Sequence, residues 1–519
     1  MLVSSKSALE FFFDAFRKNI IGCGQTFDSP FGKKEIVYAD WTASGRAYLP
    51  IEECIKNEIL PFVANTHTGA NITGTLMSGA YEKAKVIVKQ HVNANSEDAL
   101  VFCGSGMTGA VNKLQRILGL RLPERLPDYM QNKSLQLDEA LRPVVFITHM
   151  EHHSNQVTWL ETIATVEIIN ADENGNVDME HFRALLAQFK HRKNKIAAIT
   201  ACSNVTGIQT PYHEIAKIIH GHGGLCFVDF AGSAPYINID MHPEEKGSEL
   251  DAVYFSPHKF LGGPGTPGVL IFNQKIYKNT IPDQPGGGTV IYSNPWKVHE
   301  YVSHIEQRED GGTPPFLQGI KAAMCIRLKE EMGVENILRR EEELMELIFD
   351  RFAKMEHVEV LAGDIKKRLG VISFTVHGAH YNLVVKLLND KFGIQTRGGC
   401  SCAGTYGHIL LQVDKTRSYR ILDAIRSGDL MSKPGWVRLS VHPTMTNAEI
   451  DFIMDAIEST SFHFKEWMED YVYDPGSNEY EFKGMETNCQ RKIKDWFNAA
   501  AWQNSKVDKM SIKPGRLQV

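Results

Sequence analysis

Short apolar runs alternate with longer helix-like stretches through the first three hundred residues of this 519-residue chain. The runs are Glu35–Asp40, Ala99–Cys103, Val144–Thr148, Thr165–Asn170, Ile196–Thr200, Leu225–Asp229, Ala252–Ser256 and Gly268–Phe272. Continuous apolar runs of this length are typical of strands that are buried on both faces of a sheet. Because helical segments such as His213–His220 lie between them, the pattern predicts an α/β fold with a largely parallel sheet.

The pattern changes near Gly311. A long helical stretch, Leu317–Lys354, is followed by strand candidates at Gly370–Val376 and Trp436–Val441. This order predicts a large domain followed by a smaller α+β domain. The predicted segments are an N-terminal helical segment packing on the small domain (1–30), the large domain (31–310), the small domain (311–470) and a C-terminal extension (471–519). Polar inserts at 121–142 and 407–435 are predicted to be peripheral.

Composition narrows the class of protein. The chain exceeds the roughly 250–300 residues at which a single hydrophobic core stops growing. A net charge of −6, with basic residues spread along the chain, provides no broad positive surface for nucleic acid or an anionic membrane. Nine irregularly spaced cysteines and an N-terminus without an apolar signal region favour a reducing, cytoplasmic compartment. We therefore predict no nucleic-acid partner and no membrane partner. We also predict no metal site, because no carboxylate completes a ligand set with His213, His220 and His222.

A lysine directly after a predicted strand is the first candidate catalytic residue. Lys259 follows the strand Ala252–Ser256 and precedes a Gly-rich turn. A partly desolvated lysine has a lowered pKa, which frees its amine for imine formation. The neighbouring Ser256 and His258 can donate hydrogen bonds to a phosphate. Taken alone, this segment is more often a surface lysine before a turn, so its interpretation depends on other loops.

Four further loops after predicted strands carry groups that suit the same chemistry. Asp229 can keep the pyridine nitrogen of pyridoxal 5′-phosphate (PLP) protonated. His152 can stack on a ring or move protons, and Asn204 offers an amide to the phenolic oxygen of the ring. A Gly-rich turn that opens a helix directs backbone N–H groups at an anion, and it contains Gly106, Met107 and Thr108. Each loop alone is more often a simple cap, but together they predict a PLP site.

With these motifs in order, the chain from Val37–Arg46 to about Thr446 resembles the class V aminotransferase family of fold-type I PLP enzymes. Within that family it is most similar to the cysteine desulfurase/selenocysteine lyase-like branch. The resemblance implies a mostly parallel, seven-stranded sheet in a large PLP-binding domain and a smaller α+β C-terminal domain.

The resemblance also implies roles at the cofactor. Lys259 would be the Schiff-base lysine, Asp229 the partner of the pyridinium nitrogen, and His152 the stacking and acid/base residue. Asn204 would lie near the phenolic oxygen. The cofactor phosphate would be held by Thr108, Ser256 and His258.

Other implied roles concern the substrate and a second subunit. Thr313, in the turn Asp310–Pro314, would reach the phosphate of a partner subunit, which implies a homodimer. His67 and Ser44 would line the substrate pocket. Arg438 would bind the α-carboxylate of the substrate, since a guanidinium on a strand presents a fixed fork to a carboxylate. The alternative for Arg438 is a structural ion pair.

The loop Thr396–Gly404 carries two cysteines and bears on the reaction type. The resemblance aligns Cys402 with a nucleophilic cysteine on a mobile loop, and neighbouring Arg397 could depress the pKa of its thiol. Cys400 is the weaker candidate. There are three alternatives for the two cysteines. They could form a redox pair, although Cys-x-Cys is poor disulfide geometry, or bind a metal, although no second cysteine pair is present. They could also be inert small residues.

These observations favour a cysteine desulfurase-like lyase that converts L-cysteine to L-alanine, leaves a persulfide on Cys402 and passes sulfur to an acceptor protein. The sequence departs from the branch at two places. Gly232 stands where its desulfurases usually carry a glutamine that donates to the phenolic oxygen, and Thr68-Gly69 stands where an arginine is frequent. A class V aminotransferase, or another PLP lyase or epimerase without a persulfide, is therefore the alternative. A non-catalytic scaffold is disfavoured by the intact Lys259, Asp229 and Arg438.

Overall fold

A computed structural model describes residues 7–66, 68–130, 137–484 and 489–499 of the chain. Its helices are α1 Ala8–Arg17, α2 Leu49–Cys54, α3 Ile72–His91, α4 Gly106–Ile117, α5 His153–Leu160, α6 Met179–Gln188, α7 Tyr212–Gly221, α8 Ile305–Glu309, α9 Phe316–Met332, α10 Val334–Phe352, α11 Tyr381–Leu387, α12 Gly404–Leu410, α13 Lys415–Arg426, α14 Asn447–Trp467 and α15 Cys489–Trp496. Its strands are β1 Thr26–Ser29, β2 Gly32–Glu35, β3 Val37–Tyr38, β4 Asp98–Cys103, β5 Val144–Thr148, β6 Thr165–Ile169, β7 Lys195–Thr200, β8 Leu225–Asp229, β9 Ala252–Phe255, β10 Gly268–Asn273, β11 Val290–Ser293, β12 His299–Tyr301, β13 Val358–Val360, β14 Val371–Val376, β15 Ile394–Gln395, β16 Arg397–Gly399, β17 Trp436–Ser440, β18 Tyr471–Asp474 and β19 Glu479–Phe482.

The central sheet has seven strands in the order β4-β10-β9-β8-β7-β5-β6. Strands β5 to β9 pair in parallel, and β10 alone runs antiparallel to its two neighbours, β4 and β9. Strands β4, β5, β7 and β9 are buried along their whole length, as their uninterrupted apolar runs predicted. The predicted α/β class with a mostly parallel seven-stranded sheet is confirmed.

One predicted strand lies outside this sheet. Within the run Glu35–Asp40, Glu35 ends β2, and Val37–Tyr38 forms β3, which pairs in parallel with β15, more than three hundred residues further along the chain. The run therefore ties the start of the chain to its C-terminal half.

A second sheet is antiparallel throughout, with the order β13-β14-β17-β16. The long predicted helix Leu317–Lys354 is two helices, α9 and α10, separated by Gly333 at φ +71°. Helix α1 contacts α10 and α14, because buried Arg340 lies 3.6 Å from Glu10 and Arg17 pairs with Glu449 at 2.8 Å. The domain limits given above stay a prediction.

Two peripheral features flank the second sheet. The insert 407–435 contains most of α12 and all of α13, and α13 has no buried residue. Strands β18 and β19 form a hairpin in which Asn478 donates a hydrogen bond to the Tyr381 hydroxyl at 2.9 Å.

Among the helices of the described residues, none has the length and apolar character that crossing a membrane requires.

Candidate active site

A cavity of about 520 Å³ opens at the carboxyl edge of the central sheet. Strands β5, β7, β8 and β9 end at this edge, and the segment β16–β17 of the second sheet closes the other side. Parallel strands bring the loops at their carboxyl ends together in this way. The predicted residues that line the cavity are Gly106, Met107, Thr108, His152, Asn204, Asp229, Ser256, His258, Lys259, Cys402 and Arg438.

Lys259 lies at the end of a single 3₁₀ turn, Pro257–Lys259, directly after β9. Burial lowers the pKa of Lys259 to about 8, against the opposing effect of the nearby Asp229 carboxylate. An amine with this pKa is in part uncharged at neutral pH, as a nucleophile must be. Asp229 ends β8, and burial raises the pKa of its carboxyl to about 6 although the Ala231 N–H donates to it at 2.8 Å.

The turn before α4 is shaped to hold an anion. Gly106 has φ +57°, and a Cβ there would lie 2.8 Å from the Ser256 hydroxyl oxygen. Only glycine lets the backbone approach this closely. The Met107 N–H donates to that same Ser256 oxygen at 2.8 Å, and the Thr108 hydroxyl lies 2.7 Å from that of Ser154. Backbone N–H groups at the first turn of α4 therefore lie beside hydroxyl groups at one end of the cavity.

His152 is held as a neutral imidazole of defined tautomer. It caps α5, and its Nδ1 accepts a hydrogen bond from the Ser154 N–H at 3.1 Å. Burial, reinforced by Lys259, lowers the pKa of His152 to about 3. Because Nδ1 is an acceptor, the proton of the neutral ring is on Nε2.

Arg438 belongs to a buried set of charges. Its Nη2 donates to the Asp40 carboxylate at 2.6 Å and its Nη1 to the Asn204 carbonyl at 3.2 Å, while its buried Nε has no partner. Arg397 donates to the other oxygen of Asp40 at 3.0 Å. One carboxylate thus bridges two guanidinium groups, which leaves an excess of positive charge where a substrate anion could bind.

Cys402 is exposed and lines the cavity, whereas Cys400 is half-buried and does not line it. Asn204 lies in the cavity wall, but its amide donates to the Ser401 carbonyl at 2.7 Å, so it contacts the cysteine loop. The role of Asn204 at a phenolic oxygen stays a prediction.

Two of the predicted residues that the structure describes do not line this cavity. They are Ser44, whose hydroxyl donates to the carbonyl of the cavity residue His258 at 3.3 Å, and Thr313, which is exposed. His67 lies outside the described residues.

Other lining residues were missed by sequence reasoning. They are Thr42, Thr200, Cys202 and Thr266. Single polar residues in turns carry no distinguishing signal, although Thr200 and Cys202 adjoin the end of a predicted strand.

Comparison with known proteins identifies the family. The aminotransferase class-V model matches residues 129–453, which is more than half of the chain. The chain belongs to the class-V aminotransferase family. A probable cysteine desulfurase of Halalkalibacterium halodurans is 30% identical over 376 residues, 71% of this chain and 84% of that protein. A probable cysteine desulfurase of Staphylococcus aureus is 27% identical over 72% of this chain and 85% of its own.

Solved structures support the same fold for this class-V family member. The apo cysteine desulfurase of Thermococcus onnurineus has a TM-score of 0.68 at 23% identity, covering 86% of this chain and 98% of its own. The cysteine desulfurase CsdA of Escherichia coli has a TM-score of 0.65 at 19% identity, covering 87% and 98%. The fold is that of fold-type I PLP enzymes.

As a member of this family, the protein is a PLP-dependent enzyme. The residues present fit that cofactor. A lysine of lowered pKa, a buried carboxyl and a glycine-lined anion cradle line one cavity, in the combination that a phosphorylated pyridine aldehyde needs.

Proposed function

We propose that this enzyme is a cysteine desulfurase-like lyase, which converts L-cysteine to L-alanine and holds the released sulfur as a persulfide on Cys402. The observation that carries the proposal is an exposed thiol, that of Cys402, lining the same cavity as Lys259 and Arg438. The similarity to curated proteins named probable cysteine desulfurases supports it.

The bound cofactor supplies an electron sink for the carbon that loses a proton. Lys259 would hold it through Nζ, Asp229 would face its ring nitrogen, and the first turn of α4 with Ser256 would bind its phosphate. The substrate amine would first displace Lys259 Nζ from the cofactor. The released amine, uncharged in part at neutral pH, would then take the Cα proton. His152 would present its Nε2–H to the ring.

Arg438 and Cys402 would act on the substrate itself. Arg438 would bind the α-carboxylate and fix the side chain toward the loop. The Cys402 thiolate would attack the substrate sulfur, so that an S–S bond forms and the bond from sulfur to Cβ breaks. The electron pair of that bond stays with the carbon, which takes up a proton to become the methyl group of alanine.

The test is to incubate the purified enzyme with L-cysteine and a thiol reductant and to measure sulfide and alanine together. We expect equal amounts of both from the wild type. Cys402→Ser should keep the yellow cofactor and abolish sulfide release, whereas the matched control Cys400→Ser should retain most activity, because Cys400 does not line the cavity. Equal sulfide release by all three proteins would exclude the persulfide step.

A second reaction is favoured by one observation. Gly232 lines the cavity where the desulfurases usually carry a glutamine, and a Cβ at this position would lie 3.1 Å from the Cys202 carbonyl oxygen. The missing amide removes a hydrogen-bond donor to the cofactor, which supports the alternative of a class-V aminotransferase or another PLP lyase or epimerase without a persulfide step. Consumption of a 2-oxo acid with an amino donor, without sulfide, would establish that activity.

We also propose that the enzyme is a homodimer that delivers its sulfur to an acceptor protein. Thr313 is exposed and outside the cavity of its own chain, which suits a contact with the phosphate site of a second chain. The segment around β11 and β12 exposes large apolar side chains, as a surface that meets another subunit does, and they are Ile291, Tyr292, Trp296 and Val298.

A further inference from the structure

The loop that carries Cys402 is held by the start of α5. The His153 N–H donates to the Cys402 carbonyl at 2.7 Å, and the Gly404 N–H donates to His153 Nε2 at 2.9 Å. One histidine therefore contacts the backbone on both sides of Ala403. A Cβ at Gly404 would lie 3.0 Å from His153 Nε2, so the short contact favours glycine at this position.

The backbone of this loop is strained. Ser401 has φ +50° and Cys402 has φ +56°, and neither is glycine. A non-glycine residue is strained in the left-handed region, because its Cβ crowds the following carbonyl oxygen. Such a conformation persists only where surrounding contacts fix it, and the contacts here come from the opposite wall of the cavity.

His153 is suited to this contact by its charge state. Burial lowers the pKa of His153, and nearby Lys433 adds to the effect. A neutral ring that accepts at Nε2 carries its proton on Nδ1. The adjacent His152 accepts at Nδ1 instead, so the two consecutive histidines have opposite tautomers, and only His152 lines the cavity.

We propose that His153 is a positioning residue whose side chain fixes the Cys402 thiol beside the cavity: its Nε2 accepts from the Gly404 N–H and supports the contact that the backbone N–H of residue 153 makes with the Cys402 carbonyl. Two other contacts complete the attachment: Asn204 donates to the Ser401 carbonyl at 2.7 Å, and the Gln156 amide contacts the Thr405 hydroxyl at 2.7 Å. Along the chain, these two contacts lie on either side of those that residue 153 makes with Cys402 and Gly404. The catalytic consequence rests on the proposed function of Cys402, but the structural role does not.

The first test measures the loop without using the reaction. Two measurements on the holoenzyme, both read by mass spectrometry, report how firmly the loop is held. They are the rate of hydrogen exchange in the peptide that contains Gly404 and the rate of Cys402 alkylation by iodoacetamide. We expect His153→Ala to speed exchange at least about tenfold, the effect of losing roughly 1.4 kcal/mol of local stability, and to change the alkylation rate severalfold. His153→Gln, whose amide oxygen can accept from Gly404, should restore most of both. A hydrogen-exchange rate in His153→Ala equal to that of the wild type would overturn the proposal.

The second test separates positioning from binding. With L-cysteine as the probe, we expect His153→Ala to lower kcat about tenfold or more, because small misplacements of a reacting group are costly. KM should stay within about twofold of the wild type, since Arg438 is untouched. An unchanged kcat beside a loosened loop would overturn the catalytic part alone. If the wild type forms no sulfide, the proposed function fails while the exchange result still decides the role of His153.

Matched controls exclude a general loss of structure. His222→Ala, an exposed histidine after α7, should match the wild type in every measurement. If His153→Ala does not fold, Gly404→Ala approaches the same contact from the loop, because its Cβ would crowd His153 Nε2. We expect the same loosening from it, and wild-type exchange in this variant would contradict the proposal.

Discussion

At the scale of single residues, Arg438 shares the Asp40 carboxylate with Arg397 and retains one unpartnered buried nitrogen, Nε. A substrate carboxylate would satisfy that nitrogen. We expect Arg438→Lys to raise KM for the amino acid by about 10–100-fold, the effect of losing a charge-assisted hydrogen bond worth about 1.5–3 kcal/mol. Steady-state kinetics measures this change.

The control for that variant is Arg351→Lys, on α10, whose ion pairs with Asp455 and Glu458 involve no residue that lines the cavity. It should leave KM unchanged. A wild-type KM in Arg438→Lys would assign Arg438 to a structural ion pair only.

Glu341 is a buried carboxyl that the proposed reaction does not use. One oxygen accepts a long hydrogen bond from the Gly370 N–H at 3.3 Å, and the other has no partner. Burial raises the pKa of Glu341 to about 8. In the unfolded chain the carboxyl has its ordinary pKa near 4.3 and loses its proton above that pH, whereas in the folded protein it keeps the proton up to about pH 8. Glu341 therefore lowers the free energy of unfolding as the pH rises from about 4 to 8.

Glu341→Gln should remove that pH dependence. We expect its free energy of unfolding to exceed that of the wild type by about 1–3 kcal/mol at pH 8 and to equal it within about 1 kcal/mol at pH 5. Denaturant unfolding at the two pH values measures both differences. The control Glu342→Gln, exposed on the same helix, should show neither. If the free energy of unfolding of Glu341→Gln depends on pH as that of the wild type does, Glu341 is not buried in its neutral form.

The residues whose place could be predicted from sequence lie at, or a few positions after, the carboxyl ends of strands. Lys259 and Asp229 combine a chemically distinctive side chain with an apolar run that fixes their place at the sheet edge. The pairing of Asp40 with Arg438 spans 398 residues, and no local pattern encodes such a contact. In the sequence, His152 and His153 are adjacent histidines after the same strand and cannot be told apart. Only their three-dimensional contacts show that His152 lines the cavity and His153 binds the cysteine loop.

At the scale of elements, apolar runs predicted strands well but not their partners. The run that contains Val37–Tyr38 was correctly predicted to be extended, yet it pairs with Ile394–Gln395. Periodicity reports which faces are buried and is silent on what buries them. The long helix was predicted without its break because a single glycine is tolerated inside helices, and Gly333 ends α9 only through its positive φ.

The C-terminal hairpin has a role that composition did not reveal. Asn382 donates to the Asn478 carbonyl at 2.6 Å, and Asn478 donates to the Tyr381 hydroxyl. Tyr381 packs against Gly398 and Gly435, where a Cβ would lie 3.2 and 2.6 Å from its ring. The hairpin therefore supports α11, and α11 supports the strand that leads into the Cys402 loop.

At the scale of the whole molecule, the cavity joins distant parts of the chain. Its walls come from residues 42–43, from the edge of the central sheet, and from β16, β17 and the cysteine loop between them. Any displacement of the second sheet against the first would separate Arg438 from Lys259. The proposed dimer adds a further constraint, since Thr313 of one chain would complete the phosphate site of the other.

Mixed dimers test that arrangement. Lys259→Ala destroys one site through its own chain, and Thr313→Asp would place a negative charge at the phosphate of the partner. If Thr313 acts across the interface, a dimer of these two chains, purified by two different tags, keeps one intact site and should show about half of the wild-type activity per dimer. A dimer of wild type with the double variant should then be inactive. If Thr313 instead acts within its own chain, the results are reversed. The dimer of the two single variants should be inactive, because each chain damages its own site. The dimer of wild type with the double variant should show about half of the wild-type activity, because the wild-type chain keeps its site intact.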